Sequence, residues 1–133
     1  MNLFVESNDI RNDAAALRER ADRDGYLFLR DFVDEEPILE TRRDITATLQ
    51  EVGWIDVGTD PFEAITSHPA RISGTDEHKP VYDMVQKLES FHTLAHDDAL
   101  FRIAEALLGP DVLLQPSNIA RFMSSWPTMA EKG

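Results

Sequence analysis

His92 and His96 stand four residues apart, a spacing that can place two imidazoles on one helical face around a divalent cation, with Asp98 as a third donor nearby. A small helical metal protein is the most chemical reading of that pattern. Against it, no glutamate adjoins His92 to act as a general base, and Asp97 has the position of a cap for a new helix, which would break the geometry between the rings. Capping and packing at a turn explain the three residues more simply, so no catalytic residue and no metal ligand is assigned. His68 and His78 lie in a stretch that also holds Asp56, Asp60, Glu63, Asp76 and Glu77. Such a stretch either covers a substrate site or is a solvated loop, and its residues receive no role.

The elements that must position these groups come from 133 residues, enough for one compact domain that buries roughly two-thirds of its unfolded surface. There are no cysteines, which excludes disulfides, thiolate zinc sites and cysteine nucleophiles and suits a reducing cytoplasm. Thirteen Lys and Arg against 25 Asp and Glu give a net charge of −12, which repels nucleic-acid phosphates and anionic membranes. No stretch approaches the run of about 18 apolar residues that a membrane span needs, and no signal peptide is recognisable at the start. A cytoplasmic protein without nucleic-acid or membrane partners is the expectation.

Ile10, Ala14, Leu17 and Ala21 recur at helical spacing, and Gly25 is placed to end that helix in a left-handed conformation. Tyr26-Leu27-Phe28-Leu29 then reads as a short buried strand. Asp34 to Pro37 reads as the start of a second helix with Ile38, Leu39, Arg42, Ile45, Leu49 and Val52 on one face and Gly53 at its end. From Asp56 to Lys79 periodicity fails, and a long irregular loop is predicted over 56–79. Pro80 opens a third helix with Val81, Met84, Val85, Leu88 and Phe91 inward. Asp97 caps a fourth, with Leu100, Ile103, Ala104 and Leu107 inward and Gly109-Pro110 as its stop. Val112 to Gln115 and Ile119 to Met123 read as strands at a sheet edge or bulge, separated by Pro116.

Three segments, in this order, resemble the phytanoyl-CoA dioxygenase family of iron(II)- and 2-oxoglutarate-dependent oxygenases. They are Asp24-Gly25-Tyr26-Leu27-Phe28-Leu29-Arg30 with the acidic, proline-containing helix start behind it; Leu94-Ala95-His96-Asp97-Asp98 leading into Ala104 to Val112; and Gln115 to Phe122. Each piece alone is weakly specific; their order and spacing carry the resemblance, which spans nearly the whole chain.

The resemblance implies an α+β fold, a helical layer with the first strands of a double-stranded β-helix of jelly-roll or cupin type, its barrel incomplete in residues 1–133. It implies hydroxylation of a small organic substrate. The family's iron is held by a His-X-Asp pair and a distant histidine that leave three positions open. His96-Asp97-Asp98 matches that pair in spelling but lies ahead of the strands that should carry it, and no histidine follows. The expectation is therefore that the family's iron site falls downstream of these residues and that they alone are inactive. No cofactor is expected in this chain, although iron(II) and 2-oxoglutarate belong to the complete family fold. Arg121 falls where some relatives place a basic side chain that reaches 2-oxoglutarate, and a guanidinium suits a carboxylate. Asn118 is a second, weaker cofactor-binding candidate, because alternation would point it away from Arg121 unless a bulge after Pro116 brings it round. An exposed arginine pairing with surplus acid is the plainer account of Arg121. The rival function is a non-catalytic binding or scaffolding module derived from the same family. An uncovered strand edge at Ile119 to Met123 would invite self-association.

Overall fold

A computed structural model of the protein describes residues 4–68 and 74–121. Among them lie five α-helices: α1 (Ala14–Asp24), α2 (Glu35–Glu51), α3 (His78–Val85), α4 (Glu89–Thr93) and α5 (Asp98–Leu108). Short 3-10 turns occupy Asn8–Ile10, Pro61–Glu63 and Leu94–His96.

Local chemistry explains where the helices begin and end. The Asp13 carboxylate accepts from the backbone N–H groups of Ala15 and Ala16, both at 3.0 Å, and so satisfies two donors that the first turn of α1 leaves without partners. Gly25 closes α1 at φ 76°, a conformation that side chains with a Cβ resist. Asp97 caps α5 in the same manner, accepting from Ala99 N at 2.7 Å. Ile10, expected on the first helix, belongs to the 3-10 turn ahead of it. Helix α3 starts at His78 rather than at Pro80 and stops at Val85, so Leu88 lies between helices and Phe91 belongs to α4.

The chain divides into two compact units, one made of the residues up to Ile38 with Thr93–Pro116, the other of Leu39–His92 with the segment from Ser117. In the first unit α1 packs on α5, with Leu17 fully buried and Ala99 nearly so. Arg18 Nε donates to Ala106 O at 2.6 Å and ties the two helices at the last turn of α5. In the second unit Leu49, Ile55, Val81 and Val85 form the core, flanked by Ile45, Val52, Trp54, Leu88 and Ala120.

The buried face of α2 holds Thr41 and Thr46 beside Leu49, whereas Ile38, expected inward, is 44% exposed. The hydroxyls can be buried because both are satisfied. Thr46 Oγ1 donates to Arg42 O at 2.8 Å, and Thr41 Oγ1 donates to Ser90 O at 3.1 Å. Ser90 Oγ returns a bond to the Asp44 carboxylate at 2.6 Å, so α2 and α4 are joined in both directions.

The expectation of an α+β fold with the first strands of a jelly roll is overturned: the described residues are helical and contain no strand. Tyr26 to Leu29 is half-buried and reaches only an isolated parallel bridge between Glu6 and Phe28. Its groups are met side by side instead. Ser7 N donates to Phe28 O at 2.7 Å, the Asn8 side chain bonds Arg30 N and O, and Phe4 lies edge-on to Tyr26 with ring centroids 4.9 Å apart. Val112 to Gln115 forms no ladder, and neither does Ile119 to Arg121; the remaining residues of that second expected strand, Phe122 and Met123, lie outside the described residues. The edge expected to promote self-pairing therefore has no strand in its described part.

Candidate functional site

Helix α3 carries Tyr82, Gln86 follows one turn later as the cap of its C-terminus, and four residues of the second unit meet there. Gln86 Nε2 donates to the Tyr82 hydroxyl at 2.7 Å and to Asn118 O at 2.8 Å, which uses both of its amide hydrogens. His92 Nε2 lies 2.7 Å from Gln86 O. A carbonyl can only accept, so Nε2 carries the proton. His92 Nδ1 then accepts from Asn118 Nδ2 at 3.2 Å. Both ring nitrogens are thereby held by the chain itself. Tyr82 also continues an aromatic row, stacked on His78 at 5.7 Å, with His78 next to Trp54 at 5.6 Å.

Asn118, one of the two residues nominated for cofactor binding, is half-buried in this cluster, and Arg121, the other, is exposed. Without a strand, the alternation that would have opposed their side chains does not operate. What the cluster does physically is anchor the irregular segment 117–121 to the end of α3, through one backbone carbonyl and one side-chain amide. Gln86 and Tyr82 escaped the sequence reading. Their four-residue spacing on a helix face is visible in the sequence, but nothing there shows that Asn118, 32 residues from Gln86, completes the set.

His96 ends a 3-10 turn and stacks on Phe101 at 6.1 Å, while His92 belongs to α4. Asp97 adopts φ −57°, ψ 131° between His96 and α5, so the chain leaves helical geometry there, as its capping role requires. Among the described residues no group of three His, Asp or Glu side chains is arranged to hold a metal ion.

His68 lies in a second polar cluster. The Asp56 carboxylate accepts from Ser67 N at 2.9 Å and from Ser67 Oγ at 3.1 Å, and His68 Nε2 is 4.0 Å from Asp56 Oδ1. In a nucleophilic triad the imidazole stands between hydroxyl and carboxylate. Here the serine bonds the carboxylate directly, so Asp56 works as a clasp across its loop. The same loop is held to α2 by Arg42, whose guanidinium donates to Phe62 O at 2.7 Å and lies 4.7 Å over the Phe62 ring centroid. Gln50 Nε2 adds a bond to Asp56 O at 3.1 Å.

No helix among the described residues is long and apolar enough to cross a membrane. No family model, no curated protein and no solved structure matches the chain.

Proposed function

We propose that the chain is the helical amino-terminal part of a phytanoyl-CoA dioxygenase-like oxygenase, dependent on iron(II) and 2-oxoglutarate, that hydroxylates a small organic substrate in the cytoplasm. The observation that carries this reading is the ordered trio of segments Asp24 to Arg30, Leu94 to Val112 and Gln115 to Phe122. The acidic surface agrees with a small-molecule substrate and disfavours nucleic acid and anionic membranes as partners.

The described residues do not fit the iron that this family uses. An open iron site needs two imidazoles and a carboxylate converging on one point, and both ring nitrogens of His92 are already bonded to Gln86 and Asn118. Iron binding therefore falls to residues other than those described. For 2-oxoglutarate, the exposed Arg121 has the right charge, whereas Asn118 would have to leave His92 to contribute its bonded amide.

The non-catalytic binding or scaffolding module remains the second reading, favoured by that same closed cluster, in which candidate binding groups serve the fold. Incubation with iron(II), 2-oxoglutarate and oxygen separates the two. We expect no succinate from residues 1–133, and succinate from a chain extended through a His-X-Asp pair and a distal histidine. Turnover by residues 1–133 would refute both readings, and an extended chain that binds iron yet makes no succinate would favour the module.

A further inference from the structure

We draw no further inference here: the strongest candidate, the side-chain cluster of Tyr82, Gln86, His92 and Asn118 at the end of α3, belongs to the site already described, and its bonds to the chain itself give no indication of a ligand that would displace them.

Discussion

Asn118 and His92 show how a residue chosen for one chemistry is committed to another. Replacing Asn118 with Ala removes the donor to His92 Nδ1 but leaves the backbone carbonyl that Gln86 bonds. We expect a loss of about 0.5–1.5 kcal/mol, the usual net worth of one hydrogen bond, read from the urea midpoint. Nitrogen-15 spectra of the wild type should show His92 protonated at Nε2; protonation at Nδ1 instead would contradict the arrangement. Asp9 offers a second test at this scale. The hydrogen bonds from Arg20, opposed by desolvation and assisted by the charge of Arg20, hold the Asp9 carboxyl below its ordinary value of 3.8. A carboxyl lowered in the folded state adds stability above its unfolded value, and this is lost as pH falls through the lower folded one. The Asp9→Asn variant should therefore be less stable than wild type at neutral pH, with the gap closing as the solution is acidified below 3.8. A gap that persists unchanged in strong acid would mean that something other than the carboxylate charge had been lost.

At the scale of elements, the ends of helices are what the sequence announces most clearly. Gly25 ends α1, and Asp97 with Gly109 brackets α5, because capping is decided by neighbours in the chain, whereas the start of α1 at Asp13 was not singled out. Strand formation is decided by distant partners. The Tyr26 to Leu29 run has the composition of a strand, yet it finds only the Glu6 bridge, so its aromatics pack on Phe4 instead of joining a sheet. The inward face of α2 was partly hidden for a related reason, since burying Thr41 depends on Ser90, 49 residues away. The candidate site was legible as separate residues, His92 and Asn118, but not as a pair. The contact between α1 and α5 supplies a prediction of its own kind. Arg18 Nε bonds Ala106 O, one of the last carbonyls of α5, which have no partner inside their helix, and the positive charge also complements the helix dipole there. Arg18→Ala should cost about 0.5–1.5 kcal/mol in urea unfolding. An unchanged midpoint would show that water replaces the guanidinium without loss.

For the whole molecule the dominant electrostatic quantity is the excess of 25 acidic over 13 basic side chains. The ion pairs Arg20 with Asp9 at 3.1 Å, Arg30 with Glu6 at 3.4 Å and Lys79 with Asp83 at 2.6 Å are local attractions set against that general repulsion. Each involves at least one largely exposed side chain, and such pairs contribute only about 0–1 kcal/mol apiece. Salt weakens both effects, so the sign of the response shows which is larger. Raising sodium chloride from about 10 mM to about 150 mM shortens the screening length from about 30 Å to about 8 Å. Pairs in direct contact lie well inside even the shorter length, whereas repulsion among carboxylates spread over the surface acts at distances that it cuts off. We therefore expect the thermal midpoint to rise over this range. Chloride is the appropriate anion, because sulfate would strengthen apolar burial and raise the midpoint for an unrelated reason. A falling midpoint would mean that the few ion pairs outweigh the surplus acid, and that the charge excess is not what limits the stability of this chain.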